Sequence, residues 1–153
     1  MITAWRIVKK RNAARAFDGE GARLFGGRWN SPGRSVVYVA GTPALAALEM
    51  AVHLDRSTLL DSFVLIRCEF AETLVARVDS SVLPRGWRRS PAPLELATIG
   101  DEWVERARSA VLAVPSAVIE QETNYLMNPR HPDFVRITIG LRQSFEFDRR
   151  LIK

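Results

Sequence analysis

The sequence predicts one α+β domain, and three observations lead there. A chain of 153 residues that is 47% hydrophobic suits a single core. Its apolar residues fall in short β-branched runs separated by Gly, Pro and Asn, which read as strands and turns. One stretch, opening at Gly41-Thr42-Pro43, carries the signature of a capped helix.

In chain order, Ala4–Val8 (A-W-R-I-V) reads as an opening strand interrupted by Arg6, a charge that needs a partner or a ligand. The polar segment 11–23 reads as a loop with at most a helical turn. Gly26-Gly27 and Ser31-Pro32-Gly33 bracket Arg28, Trp29 and Asn30 in two tight turns, a segment able to present side chains and amides to a ligand. Val36–Ala40 is a strand with Tyr38 on the opposite face from Val37 and Val39.

The helix that follows has Thr42 as N-cap and Pro43 at its first position, and should run to about Leu54. Leu45, Leu48, Glu49 and Val52 take the spacing of one buried stripe, which puts a carboxylate on the apolar side, with His53 one turn on. Ser62–Phe70 and Thr73–Asp79 read as neighbouring strands, and Leu83–Pro93 as a surface loop with Arg85, Arg88 and Arg89 around Trp87. Leu94–Ile99 and the residues after Asp101 are helical. Val111–Ile119 is a strand broken at Pro115, which exposes Ser116. Residues 121–134 read as an Asn- and Pro-rich connection, F-V-R-I-T-I-G from Phe134 as a strand and the tail from Ser144 as a last strand.

The charge is +5 with a pI near 10.1, which favours anionic partners. Lys9, Lys10 and Lys153 are the only lysines among 22 basic residues, so the excess is arginine, whose planar fork suits phosphates and carboxylates. A GC-rich genome is the simpler source of that bias. No apolar run approaches the roughly 20 residues of a membrane span, and no secretory leader is written at the N-terminus, so a cytoplasmic protein without membrane contact is expected. Cys68 lies in an apolar run and reads as a buried, inert thiol. Two histidines and one cysteine make no metal site, and neither a P-loop nor a dinucleotide fingerprint occurs.

What remains is a set of polar residues in apolar settings: Arg6, Arg28, Tyr38, Glu49 and Ser116. Each has a structural reading. Arg6 with Glu49 forms a buried ion pair, Tyr38 is a strand tyrosine, and Ser116 is a turn former. The alternative gathers them into one site.

The succession W-R-I, G-A-R-L-F-G-G-R-W-N-S-P-G, V-V-Y-V-A, A-L-A-A-L-E, V-P-S-A-V-I-E-Q-E-T-N-Y-L-M-N-P-R-H-P-D-F and F-E-F-D-R-R-L resembles the RES-domain family, toxins of bacterial toxin–antitoxin modules named for an arginine, a glutamate and a serine. The resemblance runs over nearly the whole chain, while residues 55–95 match only in general character. It implies that residues 1–153 form one RES domain with a fold similar to diphtheria-toxin-like ADP-ribosyltransferases. It also implies that NAD+ is consumed as substrate, by phosphorolysis or hydrolysis, or by ADP-ribose transfer to an acceptor protein. A cognate antitoxin of the Xre-like kind is the implied partner.

Carried over residue by residue, the resemblance makes Glu49, Arg28 and Tyr38 catalytic and assigns NAD+ binding to Arg6, Arg28, Tyr38 and Ser116, with no metal. His53, Asn124 and Asn128 fall in matching segments without assigned roles. A nucleic-acid-binding module built on the Trp87 arginine cluster is the rival reading, and direct nucleic-acid binding is not expected.

Overall fold

The computed structural model describes residues 1–152. Strand β1 (Ile2–Lys9) is longer at both ends than its apolar run suggests, because it pairs antiparallel with β3 (Phe63–Phe70) over eight successive residues. The polar segment after β1 is not a loop. It holds a 3-10 turn (Lys10–Arg15) and a helix, α1 (Glu20–Phe25), that buries none of its residues and so shows no apolar period. Asp18 Oδ1 accepts from the Glu20 N–H at 2.9 Å, and Glu20 pairs with Arg23 one turn on.

Strand β2 (Val37–Ala40) leads into α2 (Pro43–Ala51), opened as its sequence predicts: Thr42 Oγ1 accepts from the Leu45 N–H at 3.0 Å, with Pro43 in the first turn. The helix ends short of Leu54, and its packed face is rotated from the expected stripe. Leu45 and Ala46 are buried, whereas Leu48 and Val52 are exposed. Small Ala46 lets the helix approach the sheet on that side, and Glu49, one turn beyond Leu45, stays on the inner side.

After a helical turn, α3 (Arg56–Leu59), come β3 and β4 (Val75–Arg77), which are not neighbours. Both ladders of β3 are taken, by β1 and by β7 (Thr138–Phe145), so β4 joins the other edge of the sheet, parallel to β5 (Val111–Pro115). A central strand, β6 (Thr123–Met127), occupies the segment expected to be a connection. The strand order is β4-β5-β6-β2-β1-β3-β7. Strand β7 replaces the two strands expected from the C-terminal region: Phe134 lies in a 3-10 turn, and the tail ends in another.

Helix α4 (Leu94–Arg106) runs unbroken where two helical pieces are expected. Its Gly100 lets the helix lie directly on the Trp29 carbonyl. Helices α2 and α4 pack on the same face of the sheet over separate clusters: Ile7, Ala40, Leu45 and Phe63 under α2, and Trp29, Leu112, Leu126 and Trp103 under α4. The opposite face is a third cluster around Val37, Phe70, Val111 and Met127. No helix among the described residues is long and apolar enough to cross a membrane.

Strands β1 and β2 share a single paired position, Trp5 with Ala40. Beyond it they part, and the space between the two helix-covered clusters stays open above the parting. A cleft of about 920 Å³ occupies it.

Replacing Gly100 with Ala would drive a methyl group into the Trp29 carbonyl, backbone that cannot swing aside. Gly100→Ala is expected to destabilise the fold by about 3 kcal/mol or more, read as a lowered urea midpoint.

Candidate active site

The cleft brings together residues distant in the chain, among them Trp5 and Arg6 of β1, Gly27 and Arg28 of the turn, Tyr38 of β2, Glu49 of α2 and Asn124 of β6. Glu49 is the one carboxylate among the described lining residues, against Arg6 and Arg28. The lining is therefore cationic apart from one acidic point.

Glu49 and Arg6 do not form the ion pair that a structural reading of the sequence allows. Arg6 meets carbonyls instead: its Nε donates to Ala16 O at 2.6 Å and its Nη1 to Tyr38 O at 2.7 Å. The second bond ties β1 to β2 where their own ladder has lapsed. Burial pulls the Arg6 pKa down to about 10, opposed by the charges of Asp18 and Cys68, so the guanidinium stays charged at neutral pH while bonded only to carbonyls. A buried cation that meets only neutral acceptors retains attraction for an anion.

Arg28 sits at the tip of a turn closed by Gly27 N–H to Asn30 O at 2.9 Å. Its Nη1 donates to Trp87 O at 3.1 Å and Arg89 O at 2.9 Å, so this arginine also holds the 83–93 loop over the cleft. Both bonds use Nη1, which leaves Nε and Nη2 for a ligand. Burial lowers the Arg28 pKa, and the charge of Glu49 opposes the shift. In the same loop Arg88 donates to Ala117 O and Val118 O and faces Glu120. Of the Trp87 cluster, Arg88 is thus an internal clamp, while Arg85 and Arg89 are exposed.

Tyr38 presents its ring to the cleft, but its hydroxyl is engaged. It donates to Asn30 Oδ1 at 2.5 Å and accepts from the Trp29 N–H at 3.2 Å. Asn30, fully enclosed, also donates to Ala22 O at 2.9 Å and Ser31 O at 3.1 Å. It is the hub that shapes the Arg28 turn, and in the sequence it was only one of three residues bracketed by two turns. Gly27 is needed beside it, since a Cβ there would stand 2.6 Å from the Tyr38 hydroxyl.

Ser116, expected to face the ligand, is fully buried and donates instead to Glu49 Oε1 at 2.7 Å. Its own oxygen accepts from the Val118 and Ile119 N–H groups at 3.1 and 3.0 Å, which fixes the hydroxyl and aims its proton at the carboxylate. Asn124 Nδ2 donates to the same Oε1 at 2.7 Å. Two donors on one oxygen leave Oε2 without a protein donor among the described residues. His53 lies at the rim in the turn after α2, while Asn128 accepts from the Arg130 N–H at 3.0 Å and is absent from the lining.

This arrangement can be set beside known proteins. A family model described as the RES domain matches residues 3–149. The chain belongs to the RES-domain family. A protein named Toxin Res from Yersinia enterocolitica is 38% identical over 148 residues, covering 96% of this chain and 97% of its own. A protein named Prs ADP-ribosylating toxin, from Sphingobium sp., is 36% identical over 154 residues, covering 97% and 96% respectively. A chain of the crystal structure of the M. tuberculosis MbcT–MbcA toxin–antitoxin complex superposes with a TM-score of 0.78 at 17% identity, covering 94% of this chain and 84% of its own, a likeness of fold. This RES domain is thus a mixed α/β fold in which the helix-covered face of a seven-stranded sheet carries the cleft.

Removing the Tyr38 hydroxyl would leave the Trp29 N–H and Asn30 Oδ1 without their partner. Tyr38→Phe is expected to lower stability by about 1–3 kcal/mol in urea unfolding. Burial raises the Tyr38 pKa above its ordinary value of about 10. The folded state holds the proton more tightly than the unfolded one, so this contribution is complete below about pH 10 and declines above it. Tyr38→Phe should remove that part of the alkaline decline.

Proposed function

We propose that the protein is the toxin of a toxin–antitoxin pair and that it cleaves NAD+ at the nicotinamide–ribose bond, by phosphorolysis or hydrolysis. One observation carries this reading: a single carboxylate, held by two donors on one oxygen, faces a cleft otherwise charged by two arginines. Hydrolysis of an ordinary glycoside calls for two carboxyl groups, one of them an acid for the leaving oxygen. A nicotinamide leaving group is already cationic and departs neutral, so one carboxylate suffices. Glu49 Oε2 would face the positive charge developing on the ribose, and a carboxylate prealigned for that charge stabilises the transition state more than the ground state.

The arginines suit the rest of the dinucleotide. Arg28, with Nε and Nη2 free of protein acceptors, would take a pyrophosphate oxygen pair or an attacking phosphate, and Arg6 would add charge from the floor. The Tyr38 ring would lie against the nicotinamide end through its face, since its hydroxyl is engaged. Ser116 acts through Glu49 and does not touch the ligand. The names of the relatives support the toxin reading, and a cognate antitoxin of the Xre-like kind would keep NAD+ out by covering the cleft.

A second reading is transfer of ADP-ribose to an acceptor protein, favoured by the name of the Sphingobium relative. The same oxocarbenium-like centre is captured by a protein side chain instead of phosphate or water. Adenine-labelled NAD+ separates the outcomes: label on a protein band marks transfer, and free ADP-ribose or its phosphorylated form marks cleavage.

Purified protein is expected to release nicotinamide from NAD+. Glu49→Ala should lose on the order of 100- to 1,000-fold in kcat. Arg28→Ala should raise KM about tenfold or more. Intact NAD+ after incubation with the wild type, or a fully active Glu49→Ala, would overturn the reading.

A further inference from the structure

Asn124 has no assigned role, yet its side chain is the least comfortable polar group in the protein. Its Oδ1 is shut off from solvent and has no hydrogen-bond partner, the only such side-chain atom among the described residues. Turning the amide over would not relieve this. It would set the amide oxygen against Glu49 Oε1, 2.7 Å away, and replace a donor–acceptor contact with two facing acceptors. The orphaned oxygen is therefore the consequence of aiming the NH2 group at Glu49. A buried acceptor without a partner lowers stability and counteracts what the bond to Glu49 contributes, so the amide serves the carboxylate more than the fold.

Its placement on the backbone is equally specific. Asn124 pairs with Ala40 of β2 on one side and Val114 of β5 on the other, in the middle of the sheet. It alternates with buried Tyr125, which points into the opposite cluster, so its side chain stands on the cleft face. Ser116 reaches the same carboxylate oxygen from the turn after β5. The two donors come from separate elements, and together they fix the carboxylate in two directions.

We propose that Asn124 is a positioning residue for Glu49, retained at the expense of stability, which with Ser116 locks Oε1 and leaves Oε2 to the ligand. This rests on the NAD+ reading for its kinetic consequence, and on the geometry alone for its stability consequence. Positioning of a reacting group to within an ångström is worth on the order of 100-fold in rate, and Ser116 retains part of it.

The test compares wild type, Asn124→Ala, Asn124→Asp, Glu49→Ala and the Asn124→Ala/Glu49→Ala double variant by nicotinamide release and urea unfolding. Asn124→Ala should keep or raise the urea midpoint and lose about 10- to 100-fold in kcat, with KM changed less than about threefold. Asn124→Asp, of the same shape but without the donor, should lose at least as much. In the absence of Glu49, Asn124→Ala should have no further effect, because a residue acting only through another is silent once that one is gone.

A midpoint clearly lowered in Asn124→Ala would overturn the proposal in favour of a structural role, as would wild-type kcat in Asn124→Asp. A double variant slower than Glu49→Ala would show Asn124 acting on the ligand directly and would overturn it too. If the wild type releases no nicotinamide, the NAD+ reading falls, and the stability claim is decided by the urea midpoints of the Asn124 variants.

Discussion

The cleft exists because β1 and β2 stop pairing. Two strands in the middle of a sheet that meet at one position would leave unsatisfied backbone groups along the gap, and Arg6 supplies the missing link by donating to the Tyr38 carbonyl. A neutral side chain of that length would close the gap without charging it. An arginine holds the strands and leaves a cation in the floor, so a structural need and a binding property reside in one group. The same economy recurs at Arg28, which fastens the 83–93 loop through Nη1 while its other nitrogens remain toward the cleft.

Across the cleft the acidic point is prepared differently. Glu49 rides on a short helix and is gripped from the sheet by Ser116 and Asn124, both on one oxygen. The helix brings the carboxylate near, and the sheet sets its direction. The arrangement depends on β5 and β6 being adjacent, since Ser116 follows the first and Asn124 is the second residue of the other. The orphaned Asn124 oxygen accompanies that arrangement, since the amide's other end is turned to Glu49.

Local chemistry made some of this legible in the sequence. Thr42 and Pro43 announced α2, the β-branched run announced β2, and Pro115 marked the break in its strand, although the strand does not resume toward Ile119 and Ser116 is buried there, not exposed. Glu49 could be placed on an inner face, though the stripe around it was misjudged, because Leu48 and Val52 are exposed while the smaller Ala46 is buried. Strand β6 was hidden by its own function. Of its two polar first residues, Thr123 and Asn124, Asn124 borders the cleft, and only Tyr125–Met127 carry an apolar signal. The position of β4 was not legible at all, since strand partners distant in sequence leave no local trace. Residue types pointed to Arg6, Arg28, Tyr38, Glu49 and Ser116, but not to their division of labour, in which Ser116 and Asn30 support and Glu49 and Arg28 face the space.

The central claim is that NAD+ lies in this cleft with its nicotinamide ribose at Glu49. A crystal structure of Glu49→Gln bound to NAD+ tests it most directly, because that variant keeps the shape of the side chain and removes the charge that drives cleavage. The account predicts the nicotinamide ribose in contact with the side chain at position 49 and the pyrophosphate on Nε and Nη2 of Arg28. NAD+ bound elsewhere, or in the cleft with its nicotinamide ribose turned away from position 49, would contradict it.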